Sequence, residues 1–240
     1  MRNIKIEDIE IPIKSDNIKL MGSIYYTSNT PLKAPWIIVL GGYLEYRESK
    51  FVQAFCERFA DAGYFVISYD YRGHGETIKI TGNLNFIKAT PKIFSDIHEV
   101  ISWIIDVQSN RLLDDKIALF GRSYGGAIGL THGFIDQRVK MLFALCTRYD
   151  YATVQLKISE DLIKKISPKY FINKDPKNNE RICLAHCKDD FRIPFENILH
   201  IKEHLGLRSE NTLIYETGGH SFKGHRDDLF DQVKHFLKKL

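Results

Sequence analysis

Five short apolar runs, each set between stretches of helical spacing, restrict this chain more than any other feature. They are Trp36 to Leu40, Tyr64 to Tyr69, Lys116 to Phe120, Val139 to Cys146 and Arg181 to His186. Runs of this length with little polar alternation suit strands buried on both faces, as in a parallel sheet. Between and after them lie expected helices: Ser49 to Ala62, with Gly63 at the C-cap position; Pro91 to Gln108, with Pro91 in the first turn; Tyr124 to Phe134; Pro194 to Leu205; and Arg226 to Leu240. The last carries Leu229, Val233, Phe236, Leu237 and Leu240 on one side. Thr212 to Tyr215 reads as a final strand. The opening differs: Ile4, Ile6, Ile9, Ile11 and Ile13 mostly alternate, Asp16-Asn17 signals a turn, and Ile18, Leu20, Gly22, Ile24 and Tyr26 return. The expected fold is therefore α/β, a mostly parallel sheet of about eight strands covered by helices on both faces, with an N-terminal antiparallel hairpin.

A chain of 240 residues fits one such domain. Residues 147–180 break the pattern, with Tyr149 and Tyr151, one amphipathic helix near Ser159 to Ile166, and a polar stretch to Glu180. We expect them to form a small cap between strands. The net charge of +4 is scattered, with Lys238-Lys239 the only terminal cluster. That distribution predicts a solvated surface and no nucleic-acid partner. The apolar runs fall far short of the roughly 20 residues of a membrane span, and the first residues hold no apolar block. A cytoplasmic protein is expected, with homodimer formation left open. Cys56, Cys146, Cys183 and Cys187 read as buried free thiols. His200 and His204 stand four apart on a helix without a third ligand in reach of the pattern, so a solvated face is expected there. No metal or organic cofactor is implied.

Parallel sheets of this kind bind ligands beyond the carboxyl ends of their strands. Gly121-Arg122-Ser123-Tyr124-Gly125 sits there, between a strand and a helix, and fits G-x-S-x-G. A serine hydroxyl needs a base to become a nucleophile. His220, in Gly218-Gly-His-Ser-Phe222 after the last strand, is the candidate. The base in turn needs an acid to fix its tautomer. Asp190 follows the strand ending at His186; Asp189 is its immediate rival and Asp150 a more distant one. Arg122 is either held in a structural pair or turned to the pocket.

These landmarks, in this order, resemble the α/β-hydrolase superfamily over nearly the whole chain. Val39-Leu-Gly-Gly-Tyr43 is similar to its oxyanion loop, with Gly41 where histidine is usual. Asp70-Tyr-Arg-Gly-His-Gly75 resembles its Asp-x-Arg-Gly-x-Gly segment, which implies a structural turn with an internal ion pair for Asp70, Arg72 and His74. His186 to Pro194 resembles His-Gly-x-x-Asp-x-x-Val-Pro, with Cys187 for glycine; this implies Asp190 as the acid and Asp189 as a spacer. The order Ser, Asp, His is that of the superfamily. The resemblance is greatest to small carboxylesterases and to monoacylglycerol-lipase-like or feruloyl-esterase-like members. It implies a serine esterase working through an acyl-enzyme on Ser123, with the backbone N–H groups of Tyr43 (Leu44 as alternative) and Tyr124 forming the oxyanion hole. A pocket beneath the cap, with Tyr149, Tyr151 and Phe171, would take an apolar or aromatic acyl group. A peptidase, a thioesterase and a non-catalytic ligand-binding member of the fold are the competing readings.

Overall fold

The computed structural model describes residues 3–154 and 158–240, so residues 155–157 of the expected cap lie outside the described residues. Eight strands form one sheet: β1 (Ile4–Ile13), β2 (Ile18–Thr27), β3 (Ala34–Leu40), β4 (Phe65–Tyr69), β5 (Leu112–Arg122), β6 (Val139–Leu145), β7 (Ile182–Cys187) and β8 (Thr212–Tyr215). Their spatial order is β1-β2-β4-β3-β5-β6-β7-β8. The hairpin β1–β2 is antiparallel and joins β4 antiparallel, whereas β4-β3-β5-β6-β7-β8 are parallel throughout.

The central strands are apolar on both faces because both faces are covered. Trp36, Ile38 and Leu40 of β3 point into one core with Ile117 and Leu119, while Ile37 and Val39 join Ala118 and Phe120 in the other. The first core is sealed by α3 (Phe86–Val107) and α4 (Tyr124–Ile128). The second is sealed by α1 (Lys50–Asp61) and α8 (Arg226–Leu237), through Phe55, Phe59, Val233 and Phe236. Beside the first, α7 (Glu196–Leu205) packs Ile198, Ile201 and Leu205 on Leu142 and Leu184.

Two expectations about helices need correction. Pro91 lies inside α3, not in its first turn. The start belongs to Asn85, whose side chain accepts the Lys88 N–H at 3.1 Å and so outcompetes proline as the start signal. The helix expected over Tyr124 to Phe134 is regular only to Ile128 and widens into a π turn over Gly129–Gly133. A short helix, α2 (Ile78–Thr81), also interrupts what reads as a glycine-rich loop. Between β6 and β7 lie α5 (Glu160–Ile166), capped by the Ser159 hydroxyl at 3.3 Å, and α6 (Asn178–Arg181).

Candidate active site

Ser123 stands between the end of β5 and the start of α4 at φ 56°, ψ −113°, a backbone region that side chains rarely occupy. The surroundings fix it there. Its N–H donates to the Leu145 carbonyl at 2.7 Å, and its carbonyl accepts from the Thr147 hydroxyl at 2.7 Å. The flanking glycines are required by close approach: a Cβ on Gly121 would fall 2.3 Å from the Gly125 carbonyl oxygen, and one on Gly125 would fall 2.3 Å from that of Leu40. The strand and helix can therefore meet tightly enough to lift the serine out of the turn.

The loops after β7 and β8 bring His220 and Asp190 together. Nδ1 of His220 is 2.7 Å from Oδ2 of Asp190, and both side chains are buried. The other oxygen, Oδ1, accepts the N–H groups of Arg192 at 2.9 Å and Ile193 at 3.1 Å. Burial pushes the Asp190 carboxyl up, but the His220 contact and these two N–H groups outweigh it and hold it below the ordinary range. Asp189 is more than a spacer: its carboxylate accepts the N–H groups of Gly218 at 3.1 Å and Gly219 at 2.7 Å, which ties the loop that carries His220. Asp150 is turned away, onto Lys169. His186 donates from Nε2 to the Ile193 carbonyl at 3.0 Å, and Cys146 lies within 4.8 Å of both His186 and Asp190. These two side chains are fully buried and pack around the acid.

The loop after β3 runs against the serine, since a Cβ on Gly42 would stand 3.5 Å from that of Ser123. A carboxylate braces this loop. Glu45 accepts the Gly42 N–H at 2.6 Å, and its other oxygen pairs with Arg122. The Arg122 guanidinium lies 4.0 Å from the Phe51 ring centroid, so the residue is both a structural partner and a cavity wall. Nothing in the local sequence signals Glu45, because its partner is 77 positions away. Tyr71 adds a hydroxyl bond to the Gly41 carbonyl at 2.9 Å.

The Asp70 turn is structural, but its ion pair differs from expectation. Asp70 accepts the N–H groups of Arg47 at 2.8 Å and Glu76 at 2.7 Å, whereas Arg72 grips Asp96 with two bonds of 2.7 Å. Gly75 is obligatory there, since a Cβ would meet the Asp70 carboxylate at 2.2 Å. His200 and His204 are not a bare solvated pair: Tyr149 stacks on His200 and its hydroxyl is 3.0 Å from His204 Nδ1.

A cavity of about 460 Å³ opens beside Ser123 and is lined by Ser123, His220, Tyr43 and Tyr124. Much of its apolar wall comes from the segment between β6 and β7, with Tyr151, Val154, Ile158, Leu162 and Ile166, and Leu44, Ile87 and Ile193 complete it. Of the three aromatics expected there, only Tyr151 reaches it; Tyr149 is drawn to the two histidines of α7, and Phe171 packs on His132. All four cysteines are free and buried, and burial raises Cys56, Cys183 and Cys187 to about 12. No helix among the described residues is long and apolar enough to cross a membrane.

Comparison with known proteins fits this architecture. Est1E from Butyrivibrio proteoclasticus, solved with ferulic acid bound, superposes with a TM-score of 0.75 at 18% identity, covering 96% of this chain and 98% of its own. The acylaminoacyl peptidase of Pyrococcus horikoshii gives a TM-score of 0.76 at 16% identity, over 99% of this chain but 42% of the peptidase. At such identities the likeness is one of fold. In sequence, an uncharacterized 31.7 kDa protein from the traX–finO intergenic region of Escherichia coli is 32% identical over 134 residues, 54% of this chain and 44% of that protein. The matched part thus spans less than half the length of the curated relatives. The model of one family matches residues 34–189, more than half of the chain, which takes in the loop after β3, the serine turn and the strand leading to Asp190. The chain belongs to that family, the serine aminopeptidase S33 family (Hydrolase_4) of α/β hydrolases.

Proposed function

We propose that this protein is a carboxylic ester hydrolase acting through an acyl-enzyme on Ser123. The observation that carries the proposal is the 2.7 Å contact between buried Asp190 and His220, with His220 and Ser123 lining one cavity. His220, held by Asp190 with its proton on Nδ1, presents Nε2 as the base that takes the Ser123 proton during attack on the acyl carbonyl. The N–H groups of Tyr43 and Tyr124 receive the oxyanion, the second at a helix start where negative charge is favoured. His220 then protonates the leaving alcohol and activates the water that releases the acid. Residues 147–180 serve as the cap of a single hydrolase domain, and the aliphatic wall it supplies favours a hydrocarbon acyl or alcohol group.

A peptidase reading is favoured by the family's description. An aminopeptidase must bind a substrate ammonium, and among the described residues Glu45 is the one carboxylate lining the cavity. It is already engaged by Arg122 and Gly42. The ester reading therefore ranks first. Hydrolysis of p-nitrophenyl esters from two to twelve carbons, beside aminoacyl-p-nitroanilides and an acyl thioester, tests it. Ester turnover that is lost in Ser123→Ala supports the proposal. Turnover of anilides alone would replace it by the peptidase reading.

A further inference from the structure

We propose that the substrate carries a carboxylate and that Arg148 and Arg192 bind it. This rests on the reading of the Ser123 cavity as the substrate site, and adds the chemical class of ester. Both arginines line that cavity. Arg148 follows β6 and Arg192 follows the candidate acid by two residues. Arg148 donates to the Thr153 hydroxyl at 3.0 Å and makes a long contact of 3.5 Å with the Arg192 carbonyl, so the two loops are coupled. Among the described residues no carboxylate lies within ion-pair distance of either guanidinium. Arg122 in the same cavity, and Arg47, Arg72, Arg111 and Arg138 elsewhere, each hold at least one, while Arg181 and Arg226 bond to backbone carbonyls instead.

The charge balance of the cavity follows from this. Arg122 and Glu45 cancel, which leaves two cations beside an aliphatic wall. A guanidinium is a planar fork matched to a carboxylate, and two like charges at one apolar opening repel unless an anion joins them. Val154, Ile158, Leu162 and Ile166 suit a short hydrocarbon segment between that anion and the reacting carbonyl. The carboxylate can sit on the acyl side, as in a hemiester of a dicarboxylic acid, or on the alcohol side, as in an ester of a hydroxy acid.

Two matched pairs distinguish these sources: mono-4-nitrophenyl adipate against 4-nitrophenyl hexanoate, and the hexanoyl esters of 4-hydroxybenzoate against phenol. The readout is the ratio of kcat/KM, anionic over neutral, corrected for uncatalysed rates. We expect a ratio of about ten in one pair, since exposed charge pairs are modest in strength, falling as salt is raised. It should drop to near one in Arg148→Ala/Arg192→Ala, persist in part with Lys at both positions, and invert with Glu. A wild-type ratio at or below one in both pairs overturns the proposal, as does a double variant in which both rates fall together. Should no ester be cleaved, the ester reading fails while binding still decides the inference. Adipate should then raise the melting temperature more than hexanoate, and the difference should vanish in the double variant. Equal shifts for the two acids in the wild type overturn it.

Discussion

Asp190→Asn is the substitution whose outcome the geometry defines most closely. Asn is nearly isosteric with Asp, so the question is which way its amide faces. Oδ1 of Asp190 accepts two backbone N–H groups, from Arg192 and Ile193. An amide NH₂ turned toward them would set donor against donor, so the Asn oxygen stays on that side. Its NH₂ group is then forced toward His220 Nδ1, now 2.7 Å from the carboxylate. His220 must answer with a bare Nδ1, which places its proton on Nε2, the atom that the proposed mechanism needs to accept the serine proton. The fold keeps its turn, and the proposed mechanism loses its base. Loss of the correct tautomer in such an arrangement costs about 10⁴ in kcat, or about 5–6 kcal/mol. The assay is kcat on the best p-nitrophenyl ester, with a thermal melt to show that the protein is folded. Asp189→Asn is the control: it weakens two bonds to the Gly218–Gly219 turn without touching the imidazole, and should cost roughly tenfold or less. If Asp190→Asn retained a tenth of wild-type kcat, or Asp189→Asn were the worse variant, Asp190 would not be the orienting acid.

Removing the brace of the loop before Tyr43, by Glu45→Ala, should lower kcat more than it raises KM and lower stability by about 1–3 kcal/mol, because Arg122, only 7% exposed, is left with an unsatisfied donor; adding Arg122→Met should recover the stability in chemical denaturation but not the kcat. His132 contacts His98 at 3.1 Å and packs on Phe171, and burial brings its pKa down to about 4. Its neutral form favours the native state, so its contribution is full above the unfolded value near 6.5 and is lost as pH falls toward 4. Wild type should therefore lose about 1–3 kcal/mol more than His132→Gln between pH 7 and 4.5 in urea unfolding; a constant difference between the two proteins would remove this residue from the acid sensitivity.

The fold was legible in the sequence, and candidate reacting groups could be named from it, because both rest on local signals. A buried parallel strand announces itself as an apolar run, and the serine turn needs its glycines within two residues. The misreadings have a common source, competition that the local pattern does not show. Pro91 looks like a helix start until Asn85 supplies a better cap six residues earlier. Arg72 looks like the partner of Asp70, but the turn spends Asp70 on backbone N–H groups and sends the guanidinium across to Asp96 on α3. Tyr149 reads as a pocket aromatic, yet α7 places two imidazoles where the ring can stack. The brace from Glu45 to Arg122 and the anchoring role of Asp189 join loops far apart in the chain, and no spacing rule could find them.

The cavity described above has two kinds of wall with separate origins. Ser123, His220 and Asp190 stand on loops rooted in β5, β8 and β7, whereas the larger part of the aliphatic wall comes from the connection between β6 and β7. A change in that connection beyond Thr147, whose hydroxyl holds the Ser123 carbonyl, alters what is admitted while leaving the roots of Ser123, His220 and Asp190 in place. Most of the aliphatic lining can thus vary apart from the candidate reacting groups, whereas Arg192 and Ile193 share a loop with Asp190 and cannot.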